Sequence, residues 1–127
     1  MAKILLVDDE ESLRTAVNVV LTSKGHSVTL AESGMAALES VKKDLPDIVI
    51  CDIEMPRLKG FDVLTEMRKD PKTAAIPFIF LTGKTDISYL TKAMELDVDD
   101  FLTKPFTADA LLAAIDIQLK KGNEKTR

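Results

Sequence analysis

Short apolar runs alternate with amphipathic segments along the whole chain, and no other feature restricts the possible folds as strongly. The runs at residues 3–7, 48–51 and 78–81 are typical of strands in a parallel sheet that is covered on both faces. Two further strands are predicted at residues 27–31 and 101–103. Each predicted strand is therefore followed by a segment that can cover the sheet.

Those segments have helical periodicity. In the first, Leu13, Ala16 and Val17 recur at i, i+3 and i+4, and Gly25 is well placed to end the helix. The predicted helices cover residues 11–24, 34–43, 61–69, 87–96 and 108–120. Because crossovers between parallel strands are right-handed, this order predicts a doubly wound (βα)₅ three-layer α/β sandwich. Two strand orders remain compatible with the pattern.

Carboxylates follow two of the predicted strands directly. Asp8 and Asp9 come after the first strand, and Asp52 comes after the third. Ligands of open α/β sheets bind outside the carboxyl ends of the strands, so we expect these acids to converge if the two strands are neighbours. Their mutual repulsion is most simply relieved by a divalent cation, and Mg²⁺ suits carboxylates combined with a phosphate.

Two more polar residues stand at strand ends. Thr82 follows the fourth strand, and Lys104 follows the fifth, just before Pro105. Together with the acids they offer a metal clamp, a nucleophile, a hydroxyl donor and an ammonium. This set is suited to receiving a phosphoryl group.

Bulk properties narrow the class of protein. At 127 residues the chain predicts one domain, and its net charge of −4 with no basic stripe argues against direct nucleic-acid binding. Cys51 is the only cysteine, which favours a reducing cytoplasm. No apolar run approaches the length of a membrane span, and Met1 leads almost directly into a strand, so neither a span nor a signal peptide is predicted.

Four short motifs occur in order, each at a predicted strand end. They are Ile4-Leu5-Leu6-Val7-Asp8-Asp9-Glu10, Asp52-Ile53-Glu54-Met55-Pro56 with Gly60, Leu81-Thr82-Gly83, and Phe101-Leu102-Thr103-Lys104-Pro105-Phe106. With these motifs the chain resembles, over nearly its whole length, the response-regulator receiver domains of two-component signalling, which are CheY-like. The resemblance implies strand order 2-1-3-4-5, a receiver domain at residues 1–121, and a polar tail or the start of a linker at 122–127.

The resemblance also implies roles for the site residues. Asp52 resembles the phosphoacceptor, whose carboxylate attacks a phosphohistidine of a sensor histidine kinase or phosphotransfer protein, or a small phosphodonor. Mg²⁺ would be bound by Asp9, by Asp52 and by the backbone carbonyl of Glu54, while Asp8 would hold a metal-bound water. Lys104 would pair with a phosphoryl oxygen, and the Lys104–Pro105 peptide is similar to one that is cis in the family.

A switch follows from the same resemblance, and rate-tuning roles are predicted for residues that flank the site. Thr82 would hydrogen-bond the phosphoryl group, and Phe101 would change rotamer with it, altering the face made by the fourth helix, last strand and last helix. Gly83 would leave room for the phosphodonor. We hypothesise that Glu54 and Lys84 pair above the acceptor and shield it from water.

The expected protein is a signalling module and not an enzyme beyond its own phosphorylation and dephosphorylation. Its partner on the output side is an unknown effector or a covalently linked output domain, and a phosphorylation-dependent dimer is a further option. Three alternatives differ in class. They are a small Mg²⁺-dependent phosphatase or phosphotransferase, which lacks sequence for a cap domain; a flavin carrier, which the acids after the first strand would disfavour; and a degenerate receiver used only for binding.

Overall fold

The computed structural model describes residues 2–83, 87–96 and 98–125. Strands and helices alternate through this part of the chain, as the hydrophobic pattern predicts. The elements are β1 (Lys3–Val7), α1 (Glu11–Ser23), β2 (Ser27–Ala31), α2 (Gly34–Lys43), β3 (Ile48–Asp52), α3 (Gly60–Lys69), β4 (Phe78–Thr82), α4 (Ile87–Glu95), β5 (Asp100–Thr103) and α5 (Ala108–Lys125).

All five strands pair in parallel, in the order β2-β1-β3-β4-β5. This order decides between the two arrangements that periodicity alone leaves open, and it confirms the (βα)₅ prediction. In the register, Val7 lies beside Cys51, and Thr82 lies beside Thr103. The residues that follow β1 and β3 therefore emerge next to each other at the carboxyl edge of the sheet.

The core consists of two apolar layers, one on each face of the sheet. Alternate strand residues point to opposite faces: Leu5, Val7 and Val49 pack on the side of α2 and α3, whereas Ile4 and Leu6 pack on the side of α1 and α5. Every residue of β3 and β4 is buried. Asp52 thus stands at the end of a strand that is covered on both faces.

Most helix ends agree with the predicted boundaries. Gly25 has a φ of 87°, a left-handed conformation that costs glycine little, and it follows the end of α1. The hydroxyl of Thr107 accepts a hydrogen bond from the Ala110 N–H at 3.0 Å, so this residue does cap α5. Asp97, which the sequence predicts to follow the end of the fourth helix in a left-handed conformation, lies outside the described residues.

The last helix is longer than predicted. It extends to Lys125 and not to Lys120, so the predicted end of this helix was wrong, while the role of residues 122–127 as a tail or the start of a linker stays a prediction. Once the turns around Leu111 and Ile115 are packed on the sheet, each further residue adds one hydrogen bond without a new nucleus. Lys121, Glu124 and Lys125 are good helix formers, which offsets the lower helix propensity of Gly122 and Asn123. Within the described residues, no helix combines the length and the apolar character that a membrane crossing requires.

Candidate functional site

Three carboxylates meet where β1 and β3 end. Oxygen atoms of Asp8, Asp9 and Asp52 all lie within 4.8 Å of one another. Asp8 is fully buried and Asp52 is 5% exposed, whereas Asp9 is exposed to solvent. The structure therefore brings together the acids that the sequence places at strand ends, with one of them open to solvent.

Lys104 reaches this group from the end of β5. Its Nζ lies 2.9 Å from Oδ2 of Asp8 and 3.5 Å from Oδ2 of Asp52. Its backbone N–H donates to the carbonyl of Thr82 at 2.7 Å, which ties the residue to the end of β4. The Lys104–Pro105 peptide is cis, as the resemblance implied. The ammonium is therefore placed between two of the three carboxylates.

The electrostatic surroundings of Asp52 favour the neutral form of its carboxyl group. Burial, together with the nearby charge of Asp8, raises the pKa of Asp52 from 3.8 to about 6, and Lys104 only partly opposes this. For Lys104 burial lowers the pKa, but the hydrogen bond with Asp8 and the charges of both acids outweigh it, and the net pKa is raised. One ammonium is shared among several acids, so a further cation would be stabilised here.

Asp52 is also fixed by its own loop. Its Oδ1 accepts a 3.3 Å hydrogen bond from the backbone N–H of Glu54. Gly60 packs against the same stretch of backbone: a Cβ at this position would lie 2.4 Å from the carbonyl oxygen of Asp52. The glycine of the family motif is therefore required by the close approach of α3 to β3.

The predicted switch residues and the small residue beside them lie on β4 and β5. Thr82 ends β4, Gly83 follows it, and Phe101 is the second residue of β5. Thr82 is buried, Phe101 is 37% exposed, and a Cβ added to Gly83 would meet no atom within 4 Å. Glu54 is half-buried beside the acids, but Lys84 lies outside the described residues, so the pairing of these two side chains stays a prediction.

One contact at the site was not predicted from the sequence. Nη1 of Arg14, in the second turn of α1, donates to the carbonyl oxygen of Asp8 at 2.7 Å. A basic residue one turn into the helix that follows the acids was the available signal. A helical position alone does not say whether such a side chain turns back to the loop or extends into solvent.

The fold and the site together define a class of protein: a doubly wound α/β domain with an acidic, lysine-bridged pocket at the carboxyl edge of its sheet. Comparison with protein-family models matches residues 4–116 to the response regulator receiver domain. The chain belongs to this family.

Several relatives support the assignment. The transcriptional regulatory protein DltR of Streptococcus agalactiae is 37% identical over 121 residues, which are 95% of this chain and 53% of that protein. Response regulator MprA of Mycobacterium leprae is 36% identical over 119 residues, 94% of this chain and 51% of that protein. The chain thus spans about half the length of these curated relatives.

Solved structures agree with the fold. A response regulator receiver domain protein from Clostridium thermocellum has a TM-score of 0.89 at 33% identity, covering 97% of this chain and 98% of that one. Chemotaxis protein CheY4 of Vibrio cholerae has a TM-score of 0.87 at 31% identity, covering 91% and 97%. The CheY-like, flavodoxin-like fold and the receiver-domain identity are therefore established for this chain.

Proposed function

We propose that Asp52 is the phosphoacceptor of this receiver domain. An oxygen of its carboxylate attacks the phosphorus of a phosphohistidine on a sensor histidine kinase or phosphotransfer protein. The P–N bond breaks, and the released imidazole takes a proton. The observation that carries this proposal is the position of Asp52 at the end of a central strand, with Lys104 and two further acids around it. A small phosphodonor such as acetyl phosphate could replace the kinase.

The same residues fit a Mg²⁺ ion. Carboxylate oxygens within 4.8 Å of one another are the donors that a hard divalent cation requires, and such an ion would neutralise charge on the phosphoryl oxygens during transfer. Asp9 and Asp52 would bind it, with the backbone carbonyl of Glu54. Asp8 already accepts hydrogen bonds from Lys104 and from the Glu10 N–H, which suits it to hold a metal-bound water.

Phosphorylation would then act on the α4–β5–α5 face. Thr82 would bond the phosphoryl group, and Phe101, now partly exposed, would turn inward. Exposed apolar side chains on this face include Met94 of α4 and Ile117 of α5. They support its use as a docking surface for an effector, a linked output domain or a second copy of the chain. A hydroxyl engaged only in the phosphorylated state supplies the differential binding that a switch requires.

The proposed module has no chemistry beyond its own phosphorylation and slow dephosphorylation, and we place it in the cytoplasm, where histidine kinases present their phosphohistidine. Glu54 and Lys84 would set the lifetime of the aspartyl phosphate. We expect Lys84→Ala to shorten the dephosphorylation half-life. An unchanged half-life would exclude this shielding role.

The phosphoacceptor is tested by intact mass after incubation with acetyl phosphate and Mg²⁺. We expect one labile phosphoryl group on the wild-type protein, and none on Asp52→Asn or in the presence of EDTA. A folded wild-type protein that binds Mg²⁺ and gains no phosphoryl group would contradict the proposal. That result would instead favour a degenerate receiver that acts only by binding.

A further inference from the structure

The guanidinium of Arg14 joins α1 to the loop that carries the acids. Its Nη1 donates to the carbonyl oxygen of Asp8 at 2.7 Å, and the side chain is partly buried. The contact goes to the backbone of the loop and not to a carboxylate. It therefore acts on the direction of the chain and leaves the acids themselves available.

Asp8 is held at every polar atom. Its N–H donates to the carbonyl of Ala31 at 3.1 Å, its Oδ1 accepts from the Glu10 N–H at 2.9 Å, and its Oδ2 accepts from Lys104. Arg14 supplies the remaining bond, to the carbonyl oxygen. Bonds from β2, from the start of α1 and from the loop after β5 thus converge on one residue that lies immediately before Asp9.

The carbonyl that Arg14 holds belongs to the peptide linking Asp8 to Asp9. Because a peptide group is planar, a bond that fixes the direction of this carbonyl also fixes the N–H and Cα of Asp9. The side chain of Asp9 is exposed, so its aim toward the other acids depends on the backbone beneath it. The bond from Arg14 is one of the contacts that fix that backbone, and it acts on the carbonyl directly before Asp9.

The start of α1 also holds this loop through the bond from the Glu10 N–H to Asp8 Oδ1, which spans Asp9 but leaves the Asp8 carbonyl to Arg14. Glu10 occupies the N-cap position, and its side chain makes no capping hydrogen bond. The helix nevertheless begins at once, with the Arg14 N–H donating to the Glu10 carbonyl at 3.1 Å. The same residue therefore continues the first turn through its backbone and ties that turn to the acidic loop through its guanidinium.

We propose that Arg14 is a positioning residue that aims Asp9 at the divalent cation. The inference rests on the proposed function, since it assigns Asp9 to the metal. For the change in Mg²⁺ affinity when Arg14 is removed, this inference and simple electrostatics predict opposite signs. A positive charge near a cation site weakens cation binding, so removing it would tighten Mg²⁺ if charge alone mattered. If position matters more, removing Arg14 loosens Mg²⁺.

The test is a Mg²⁺ titration followed by the amide signals of Asp9 and Glu10, in wild type, Arg14→Met and Lys24→Met. We expect Arg14→Met to weaken Mg²⁺ about 10-fold, the scale seen when residues behind a metal ligand are lost. Lys24→Met removes one charge from the exposed end of the same helix, about 15 Å away, and we expect no change.

A metal-free measurement separates positioning from general damage. In EDTA, amide exchange of Glu10 should be faster in Arg14→Met, with the urea midpoint near that of wild type. Arg14→Gln, which is polar and compatible with a helix but shorter and uncharged, provides the same comparison if Arg14→Met does not fold. If wild type binds Mg²⁺ and Arg14→Met binds it equally tightly or more tightly, the inference is overturned and the proposed function stands. A wild type that binds no Mg²⁺ would overturn both.

Discussion

Charged side chains are wholly or partly buried at both ends of the sheet, but their charges are balanced differently. At the amino end, Asp99 Oδ2 accepts from Arg68 Nη2 at 3.0 Å and from the Phe78 N–H at 2.7 Å. The other terminal nitrogen of Arg68 donates to the carbonyls of Ala74 and Ile76. Within the described residues this acid is paired with a base, and several further polar groups of the segment are hydrogen-bonded.

The carboxyl end has three acids around Lys104 in the described part of the chain. Burial, together with the charge of Asp8, raises the pKa of Asp52 there, and Lys104 opposes this only in part. The burial of charged side chains by itself therefore does not indicate a functional site. A balanced pair serves the fold, whereas an excess of one sign leaves a place for a ligand of the other sign.

The largest expected effect is at the balanced end. Arg68→Met leaves Asp99 without its cation and two loop carbonyls without their donor, and we expect a loss of about 3 kcal/mol in the free energy of unfolding, since these side chains are only 22% and 13% exposed. Urea unfolding followed by far-UV circular dichroism measures it.

The adjacent Lys69 provides a matched control. Its ammonium pairs with Glu66 at 3.3 Å, but both side chains are more than half exposed, so Lys69→Met should cost well under about 1 kcal/mol. Equal losses for the two variants would show that the pair between Arg68 and Asp99 contributes no more than a surface ion pair.

At the acidic end we expect the opposite sign. Asp52→Asn removes a buried carboxylate whose charged form is disfavoured, and it should stabilise the metal-free protein by about 2 kcal/mol at pH 7.5. The folded pKa of about 6 lies above the ordinary value of 3.8, so the charge of Asp52 opposes folding above pH 6. As the pH falls from about 6 to about 3.8, wild type regains this stability and the advantage of Asp52→Asn disappears.

Urea unfolding in EDTA at pH 7.5 and pH 4 measures this difference. Asp116→Asn, which removes an exposed acid from α5, is the control and should change little at either pH. A stability gain of Asp52→Asn that is the same at both pH values would refute the electrostatic explanation.

A smaller effect lies in the loop that follows Asp52. Arg57 has a φ of 67°, the left-handed region, which costs a non-glycine residue about 1 kcal/mol. Arg57→Gly and Arg57→Ala both remove the exposed side chain, but only the glycine relieves this cost. We expect the glycine variant to be more stable than the alanine variant by about 1 kcal/mol in urea unfolding. Equal stability would mean that the loop relaxes freely.

Regular elements were predictable because their signal is local. The strand ends that deliver Asp8, Asp52 and Lys104 follow from apolar runs a few residues long. Strand order was not predictable from periodicity, since it depends on which strands pair across distant sequence, and it came instead from the family resemblance. The contact between Arg68 and Asp99 spans 31 positions and leaves no periodic trace. The positive φ of Arg57 was not predicted either, because arginine is not a residue that favours it.

The smallest expected change in stability concerns Gly83, at the rim of the acidic end. A Cβ there would meet no atom within 4 Å, so Gly83→Ala should leave the free energy of unfolding unchanged or raise it by about 0.5 kcal/mol, because alanine reduces the freedom of the unfolded chain. Its effect on the proposed phosphoryl transfer should be larger, if the added methyl group occupies space that a phosphodonor needs to approach Asp52.

Phosphodonors of two sizes can test whether the open space at Gly83 is used for their approach. We expect Gly83→Ala to slow phosphorylation of Asp52 by a phosphorylated histidine kinase domain more than by acetyl phosphate, because a protein donor must bring an imidazole and its backbone past the same rim. Initial rates of aspartyl phosphate formation with each donor measure the ratio. Equal rates for the variant and the wild type with both donors would mean that the open space at Gly83 is not part of the approach, and that access is limited elsewhere around the acids.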